Sequence, residues 1–270
     1  MESIRKLSII TPCFRSAQTL EKTILSVLGQ GYPNLEYIIV DGGSQDGTLD
    51  IIRKYQDKIT NWISEPDKGV YDAMNKGIRM ATGDWIGIIN SDDYYLPGVF
   101  EKINLLAGQG GAEILYADIR MNFLDRRSYV YRSAPLLSPG KFWKMPIQHP
   151  TVFVKREVYE QDGLFQETYR IGADYALILK LFMKGRRFRY VREVWVEMEP
   201  GGLSDDRWLE GKREIRKAAR EYGIFAFPMN AIFHLDNLKT TFALSLQGVP
   251  VVNRVQRFYR NSKTVLLKRG

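Results

Sequence analysis

Three short apolar segments in the first ninety residues, separated by helical patterns, constrain the fold of this chain more than any other feature. Leu7–Thr11, Leu35–Val40 and Trp85–Ile89 have the length and the branched side chains of buried strands. Helical periodicity predicts one helix over Leu20–Leu28 and another over Thr48–Tyr55. Because strands that alternate with helices pair in parallel through right-handed crossovers, the sequence predicts an α/β fold.

Polar residues stand at the carboxyl end of each of these strands. Thr11 closes the first strand before Pro12, Asp41 follows the second, and Asp92 lies just beyond the third. In open sheets of this kind, ligands bind outside the carboxyl ends of the strands. The sequence therefore predicts that these polar residues line one ligand site at one edge of the sheet.

Two adjacent carboxylates, Asp92 and Asp93, are the strongest chemical signal at this edge. They follow Ser91 at the tip of an apolar strand, where their charges repel each other and lose hydration. A divalent cation offsets both costs, because hard cations take oxygen ligands. A solvated Ser-Asp-Asp turn is the alternative interpretation of the same residues.

A helix is predicted from Gly69 to Met80, and it carries two polar residues on one face. Asp72 and Asn75 are three positions apart, so they are neighbours on the helix surface. We expect this face to line the cleft at the sheet edge; a solvated face is the alternative.

Two common nucleotide-binding signatures are absent from the chain. The turn at Gly42-Gly43 follows a strand but lacks the G-x-G-x-x-G spacing of dinucleotide-binding proteins. No G-x-x-x-x-G-K-[ST] phosphate loop is present. A dinucleotide oxidoreductase or a P-loop nucleoside triphosphatase is therefore disfavoured.

Four blocks of sequence, taken in order and with their spacing, resemble the nucleotide-sugar half of a family 2 glycosyltransferase. They are Ser8–Pro12, Ile38–Ser44, Ser64–Gly77 and Asn90–Tyr95, and the resemblance extends over about residues 5–200. It implies the Rossmann-like GT-A fold, with a mostly parallel sheet flanked by helices. It also implies an inverting, metal-dependent transfer of a sugar from a nucleotide-sugar to an acceptor hydroxyl.

The resemblance implies a donor site made of eight residues: Thr11, Pro12, Asp41, Asp67, Asp72, Asn75, Ser91 and Asp92. In the family, the aspartates that match Asp41 and Asp67 contact the nucleotide base, typically uracil. Asp92 is implied to position the ribose or the sugar, and Asp93 to coordinate Mg²⁺ or Mn²⁺ on the donor diphosphate. From the residues alone, Asp41 is also consistent with a turn carboxylate that caps the next helix, and Asp67 with a turn residue after Pro66.

The acceptor half of the family contributes a catalytic base at the start of a helix, usually within a Glu-Asp pair. This chain has Ala173 in place of the glutamate, so the resemblance assigns the base to Asp174 alone. An aspartate in a first helical turn also serves as a cap or a dipole partner. His149 is implied to contact the acceptor or a phosphate, and a hydrogen-bonded structural histidine is the alternative.

The positive charge of the chain is concentrated after residue 200. Residues 1–200 carry 26 Lys and Arg against 25 Asp and Glu, whereas residues 201–270 carry 13 against 6. We predict a catalytic domain over 1–204, with a nucleotide-sugar half at about 1–98 and an acceptor half at about 99–204, and a basic helical extension over 205–270. A Gly-Gly-Leu-Ser loop at 201–204 is a candidate lid over the donor phosphates.

Three helices are predicted in the extension, over about 207–222, 231–247 and 251–267. The last has an apolar stripe opposite a row of basic residues, so it suits an anionic membrane surface. A helix that packs on the catalytic domain with its basic face in water is the alternative. Because the first 200 residues are nearly neutral, nucleic acid is not expected as a ligand.

The single cysteine and the polar first six residues favour a cytoplasmic location for the chain. Cys13 is the only cysteine, which excludes intrachain disulfides, and the segment Met1–Lys6 is too polar for a secretory signal. No apolar run approaches the ~18 residues that a membrane-spanning helix needs. The expected location is cytoplasmic, with peripheral association at the inner face of the plasma membrane through the tail.

Two other functions compete with glycosyl transfer at this stage. A nucleotidyltransferase also uses paired carboxylates and a metal, but the N-terminal Gly-rich signature for it is missing. A non-enzymatic basic module that binds membrane is the second. A UDP-sugar is the favoured donor and a glycan or polyprenyl-linked molecule the expected acceptor. Processive synthesis is disfavoured, since Arg207-Trp208 lacks the Gln of the Gln-x-x-Arg-Trp motif.

Overall fold

A computed structural model describes residues 4–123, 127–199 and 207–224 of the chain. The strands are β1 (Leu7–Cys13), β2 (Leu35–Asp41), β3 (Asn61–Ser64), β4 (Trp85–Ile88), β5 (Tyr94–Tyr95), β6 (Ile114–Asn122), β7 (Ser128–Tyr131), β8 (Phe153–Lys155) and β9 (Phe188–Met198). The α-helices are α1 (Leu20–Leu28), α2 (Thr48–Tyr55), α3 (Val70–Met80), α4 (Val99–Gly108), α5 (Arg156–Asp162), α6 (Ala173–Met183) and α7 (Trp208–Glu221).

These strands form one sheet in the order β3-β2-β1-β4-β8-β6-β9-β5, and β7 pairs with β6 at the side of this path. The first four strands run parallel, as the alternation of strands and helices predicted. Beyond β4 the pairing becomes mixed: β8 is antiparallel to both β4 and β6, whereas β6 and β9 are parallel. The predicted α/β class is confirmed, with the parallel half of the sheet formed by residues 7–88.

The first strand continues through Pro12, although the sequence predicted that proline would end it. Pro12 pairs with Val40 of β2 on one side. On the other side, the ladder to β4 ends at the pair of Ile10 and Ile88. Proline is tolerated at such a position, because no neighbouring strand needs its missing N–H group. The strand therefore extends to Cys13.

Alternate residues of β1 face two different layers of helices. Leu7 and Ile9 belong to a buried cluster that includes apolar residues of α1, α2 and α4. Ile10 faces the opposite way, toward Gly77 of α3. A Cβ atom at Gly77 would lie only 2.4 Å from Cγ2 of Ile10, so glycine allows α3 to approach the sheet. This alternation explains why every residue of β1 is buried.

The helix α7 belongs to the compact unit formed by Met1–Tyr222. It packs against α6. Ala218 and Ala219 have no exposed surface, and a Cβ atom at Gly211 would lie 3.0 Å from Cγ2 of Ile171. The predicted helices over 231–247 and 251–267, and the predicted lid at 201–204, lie outside the described residues.

Within residues 4–123, 127–199 and 207–224, none of the helices combines the length and the apolar character needed to cross a membrane.

A buried carboxylate fastens the amino-terminal ends of β1 and β2, on the side of the sheet opposite the predicted site. Glu36 is 6% exposed and accepts hydrogen bonds from the Lys6 ammonium, the Ser8 hydroxyl, and both the amide and the hydroxyl of Thr82. Burial raises the pKa of this carboxyl, but the four donors outweigh burial and lower it to about 2. The charged form of Glu36 is therefore stabilised in the folded state.

This site makes stability depend on pH. Because the folded pKa lies below the ordinary value of 4.5, the contribution is complete above pH 4.5 and disappears as the pH falls toward 2. The shift corresponds to about 3 kcal/mol. We expect Glu36→Gln to lose about that much unfolding free energy at pH 7 and to converge with the wild type near pH 2. Urea titrations across this range measure the difference.

The matched control is Glu160→Gln, which alters a largely exposed ion pair on α5. If Glu36→Gln and Glu160→Gln have the same stability at pH 7, the network around Glu36 does not stabilise the fold as described.

Candidate functional site

The carboxyl ends of the parallel strands meet at one edge, as the sequence predicted. Cys13 of β1 is paired with Asp41 of β2, and Asp41 is paired with Ser64 of β3. The residues that follow β4 leave the sheet beside β1, since the amide of Ile89 donates to the carbonyl of Ile10. The four segments that follow β1, β2, β3 and β4 therefore line the same edge.

Asp41 holds the turn that follows β2. Its carboxylate accepts hydrogen bonds from the amides of Gly43 and Ser44, at 3.0 and 2.9 Å, and from the hydroxyls of Ser44 and Ser64. The residue has no exposed surface. Groups of the protein thus satisfy the carboxylate that was predicted to contact a nucleotide base.

Thr11 and Pro12, both predicted to contact the donor, are also buried within β1. Thr11 has no exposed surface, and its hydroxyl lies 3.1 Å from the Tyr37 hydroxyl. Next to them, Cys13 is buried, and both burial and the Asp41 charge raise the pKa of its thiol. Cys13 is therefore a small buried residue that contributes to packing.

An exposed aromatic side chain, which the sequence reasoning missed, stands just after β1. Phe14 is 53% exposed and lies beside Gly42, where a Cβ atom would be 3.2 Å from the Phe14 ring. The same Cβ atom would be 2.5 Å from Oδ2 of Asp67, whose other oxygen accepts the Gly69 amide at 2.8 Å. Gly42 thus leaves room for both Phe14 and Asp67 beside the turn. An aromatic residue immediately after the first strand was the available signal.

Arg15 follows with a positive φ of 52°, which is uncommon for a residue other than glycine. Its amide donates to the Ser44 hydroxyl at 2.7 Å, and its guanidinium lies 5.1 Å from the centre of the Phe14 ring. This strained conformation fastens the segment after β1 to the turn after β2. Strain of this kind concentrates at functional sites.

The acidic pair divides into one exposed and one buried carboxylate. Asp92 is exposed, whereas Asp93 is 1% exposed and accepts a hydrogen bond from the Asn90 side-chain amide at 3.0 Å. The Thr23 hydroxyl donates to the Asp93 carbonyl, which holds the turn against α1. Ser91 is hydrogen-bonded to the Ser16 hydroxyl at 2.7 Å.

Both carboxylates are destabilised in their charged form. Burial and the neighbouring Asp92 charge raise the pKa of Asp93 well above its usual range, and the Asn90 hydrogen bond offsets only part of this. The surrounding protein and the Glu199 charge raise the pKa of Asp92, even though the side chain retains exposed surface. A cation at this position would relieve both effects.

The pair has the donor set that Mg²⁺ or Mn²⁺ prefers, namely carboxylate oxygens. Among the described residues, no group of three or more His, Cys, Asp or Glu side chains is arranged to hold a metal ion. Mg²⁺ is commonly bound by one or two carboxylates together with substrate phosphates and water, so two carboxylates are a sufficient protein contribution. Asp92 and Asp93 therefore fit the expected cation.

Asp174 lies in the first turn of α6, half-buried, and its Oδ1 is held by two groups. The amide of Tyr175 donates to this oxygen at 2.7 Å, and the Tyr71 hydroxyl lies 3.3 Å from it. Tyr71 belongs to the first turn of α3, only four residues after Asp67. The start of α3 thus connects the Asp67 side of the edge directly to the predicted base.

His149 lies close to the same place. Its ring packs edge-on against Phe165, at 5.7 Å between centroids, and Phe165 stacks on Tyr71 at 5.5 Å. Burial lowers the pKa of His149, while the charge of Asp174 opposes this shift. The structure therefore places the two residues predicted for the acceptor side, His149 and Asp174, around one aromatic cluster.

The two polar residues predicted on α3 have different environments. Asn75 is 1% exposed, and its amide is paired with both the carbonyl and the amide of Phe165 and with Glu167. It ties α3 to the loop that contains Phe165 and Glu167, and its contact with a donor stays a prediction. Asp72 stays near the surface, where it accepts the Lys68 amide and pairs with Lys76.

A cavity of about 310 Å³ opens beside the start of α3. Its lining includes Lys68, Tyr71, Asp72, Glu167 and Arg170. Tyr71 reaches Asp174 from this lining, so the cavity lies next to the predicted base and combines cationic, anionic and aromatic groups. A polar, hydroxyl-rich molecule suits such a surface.

Comparison with known proteins adds an independent line of evidence. The family model described as Glycosyl transferase family 2 matches residues 8–192. A PGL/p-HBAD biosynthesis glycosyltransferase of Mycobacterium bovis (strain BCG / Pasteur 1173P2) is 30% identical over 206 residues, which cover 73% of this chain and 78% of that protein. The uncharacterized glycosyltransferase EpsJ of Bacillus subtilis (strain 168) is 28% identical over 202 residues, covering 69% and 59% of the two chains.

Solved structures share the fold at low sequence identity. S. aureus TarS 1-349 in complex with UDP-GlcNAc aligns with a TM-score of 0.64 and 19% identity, over 79% of this chain and 66% of that one. The alignment covers 39% of the longer S. aureus TarS chain. Mannosyltransferase PcManGT from Pyrobaculum calidifontis, in complex with GDP-Man and Mn²⁺, aligns with a TM-score of 0.55 and 17% identity, over 98% and 87% of the two chains. The expected GT-A-like fold is thereby confirmed.

Proposed function

Because this chain belongs to glycosyltransferase family 2, we propose that it is an inverting, metal-dependent transferase that takes its sugar from a UDP-sugar. The acceptor is a hydroxyl group of a glycan or of a lipid-linked saccharide, as in the assembly of a surface polysaccharide. The observation that carries the proposal is the start of α3. Asp67, three residues before the helix, adjoins Gly42 at the sheet edge, and Tyr71 in the first turn of α3 reaches Asp174.

The donor nucleotide is assigned to the edge formed by the segments after β1, β2 and β3. Phe14 offers an exposed ring on which a base can stack, and Asp67 offers a carboxylate oxygen to a base N–H group. The Asp41 carboxylate accepts the amides of Gly43 and Ser44 and so holds the Gly42–Ser44 turn in place. A nucleotide-sugar donor is supported by the neighbours that hold UDP-GlcNAc and GDP-Man.

The diphosphate is assigned to the edge beside Asp92 and Asp93. The resemblance assigned the cation to Asp93 and the ribose or sugar to Asp92. Because Asp92 is exposed and Asp93 is buried, we propose instead that Asp92 contacts Mg²⁺ or Mn²⁺ directly and that Asp93 completes the negative site behind it. Such a cation supplies charge stabilisation to the departing diphosphate. Ser91, fixed by Ser16, sets the direction of the turn that presents both carboxylates.

Asp174 acts as the general base in this proposal. Its carboxylate takes the proton of the acceptor hydroxyl while that oxygen forms a bond to the anomeric carbon. The bond from the anomeric carbon to the diphosphate oxygen breaks on the opposite face, so the sugar changes its anomeric configuration. The cavity beside Tyr71 is the proposed acceptor site, and His149 packs on Phe165, which stacks on Tyr71.

One assay tests the proposal against its enzymatic rival. The protein is incubated with UDP-, GDP- and dTDP-sugars in Mn²⁺, and the released product is identified by chromatography. A nucleoside diphosphate is expected from at least one sugar nucleotide, with UDP released fastest. Pyrophosphate formation from a nucleoside triphosphate and a sugar phosphate would instead support a nucleotidyltransferase. Turnover of no sugar nucleotide, with or without added glycan, contradicts the proposal.

The assignment of Phe14 gives a prediction on nucleotide affinity. Stacking of a base on an aromatic ring contributes ~1–3 kcal/mol, so Phe14→Ala is expected to weaken UDP binding by ~10-fold. Phe14→Tyr keeps the ring and is expected to bind UDP within ~2-fold of the wild type. Calorimetric titration with UDP and Mn²⁺ measures both variants. The control is Leu136→Ala, which removes another exposed apolar side chain; equal affinity of Phe14→Ala and this control excludes stacking on Phe14.

We also propose that the basic tail brings the enzyme to an anionic membrane surface, where a lipid-linked acceptor is located. Seven Lys and Arg residues and no Asp or Glu follow Asp236. Each basic residue near an anionic surface contributes ~1 kcal/mol, and salt screens this attraction. A cytoplasmic protein of this kind associates peripherally with the inner face of the plasma membrane.

The tail gives its own prediction. We expect salt-sensitive sedimentation with vesicles that contain anionic lipid and little sedimentation with neutral vesicles. Removal of residues 251–270 is expected to reduce sedimentation with anionic vesicles while donor hydrolysis stays unchanged. Equal sedimentation of truncated and full-length protein would show that these residues do not anchor the enzyme.

A further inference from the structure

A single carboxylate of α7 holds the backbone that leads into the helix of the proposed base. Glu214 accepts hydrogen bonds from three consecutive amides, those of Arg170, Ile171 and Gly172, each at 2.8 Å. Hydrogen bonds to a charged acceptor are stronger than neutral ones. Gly172 is the residue immediately before α6, and Asp174 lies two residues later.

The opposite side of the same segment is held by α3. The Tyr71 hydroxyl donates to the carbonyl of Ile171 at 2.5 Å and lies 3.3 Å from Oδ1 of Asp174. The segment 170–172 is therefore held from two sides. Glu214 accepts its three amides, and the Tyr71 hydroxyl donates to one of its carbonyls. No helix or strand lies between Asp162 and Ala173, so these two contacts hold the backbone immediately before the helix of Asp174.

Close packing adds to this arrangement. A Cβ atom at Gly172 would lie 3.2 Å from Cβ of Glu214, and one at Gly211 would lie 3.0 Å from Cγ2 of Ile171. Seven residues after Glu214 on α7, Glu221 accepts the hydroxyl of the buried Tyr169 at 2.5 Å. Helix α7 thus lies directly against residues 169–172, with glycines at two close approaches.

We infer that Glu214 is a positioning residue for glycosyl transfer, acting through Asp174. This inference rests on the proposed function, in which Asp174 is the base. Loss of Glu214 leaves three amides without their acceptor and releases the segment that sets the direction of Asp174. Misplacement of a catalytic group by about 1 Å is enough to lower turnover by up to ~10²-fold.

Hydrogen exchange tests the clamp without any substrate. In Glu214→Ala, the amides of residues 170–174 are expected to exchange at least ~10-fold faster than in the wild type, while those of β1 and β2 keep their protection. Glu214→Gln retains one acceptor oxygen and is expected to restore most of the protection. Glu210→Gln is the matched control on the same helix, since Glu210 pairs with Arg207 and contacts none of the three amides. Unchanged exchange in Glu214→Ala contradicts the clamp.

Kinetics test whether the clamp acts through the base. With the sugar nucleotide that the wild type hydrolyses fastest in Mn²⁺, Glu214→Ala is expected to lower kcat by ~10-fold or more and to leave KM within ~2-fold. In a double-mutant cycle, adding Glu214→Ala to Asp174→Asn is expected to cause almost no further loss, because the positioned group is already absent.

The outcomes separate the two hypotheses. If Glu214→Ala lowers kcat equally with and without Asp174, Glu214 does not act through the base, and the inference is wrong while the proposed function stands. An unchanged kcat in Glu214→Ala leads to the same conclusion. If the wild type hydrolyses no sugar nucleotide, or if Asp174→Asn is fully active, the proposed function or its base assignment fails instead. A merely structural role would lower the melting temperature and leave the kcat of the folded enzyme unchanged.

Discussion

Replacement of Asp174 by Asn is expected to lower kcat by ~10²-fold or more while donor affinity stays almost unchanged. An asparagine keeps the size of the side chain and its acceptor oxygen, so the Tyr175 amide and the Tyr71 hydroxyl retain a partner. It cannot accept a proton from the acceptor hydroxyl, and loss of a general base typically costs 10²–10⁴-fold in rate. Single-turnover release of UDP, together with calorimetric titration of UDP, separates the chemical step from binding.

The matched control is Asp50→Asn, an isosteric change at an exposed aspartate that pairs with Arg53 on α2. We expect this control to retain wild-type kcat and affinity. If Asp174→Asn loses UDP-sugar affinity but retains turnover, Asp174 is a donor ligand and not the base.

Removal of divalent cations, or of either carboxylate at the tip of β4, is expected to abolish transfer. Asp92→Asn is expected to lose the Mn²⁺-dependent part of UDP affinity, because Asp92 is the exposed member of the pair. Asp93→Ala and Asp93→Asn are also expected to abolish transfer, since they remove half of the negative charge that attracts the cation. Rates measured with metal-free protein, before and after addition of Mn²⁺, test the requirement for the cation.

The two positions differ in their effect on stability. Asp93 is buried and its charged form is unfavourable without a cation, so its pKa is raised. We therefore expect Asp93→Asn to melt at the same temperature as the wild type or higher when both are in EDTA. Full transfer activity of dialysed wild type in excess EDTA rules out the metal role. A large loss of melting temperature in Asp93→Asn would show that the carboxylate is structural.

The elements that surround the site depend on local sequence, and the sequence predicted most of them. The bounds of α1 and α2 agree with their apolar periodicity, and the turns at Gly29–Pro33 and Asp41–Ser44 end the preceding elements. β3 and α5 were not predicted. β3 is only four residues long with few apolar positions, and α5 follows directly on β8, so neither has a periodic pattern of useful length.

The roles of the polar residues depend on burial, which the sequence describes only indirectly. Asp41 and Asn75 have the residue types of ligand-binding groups, yet the first is saturated by the turn after β2 and the second by Phe165 and Glu167. The adjacent aspartates, identical in type, divide into an exposed and a buried carboxylate. A pattern of residues does not carry this information, since each partner comes from a different element.

The sequence by itself determined the α/β class, the family, and the strand ends at which the polar residues gather. These features follow from local periodicity and from the order of four short blocks. The tertiary structure alone decided which carboxylates are open to a ligand, placed Phe14 on an exposed surface, and brought Glu214 onto the amides before Asp174. The physical reason is distance along the chain: Glu214 and Gly172 are 42 positions apart, and such contacts arise only when α7 packs against α6.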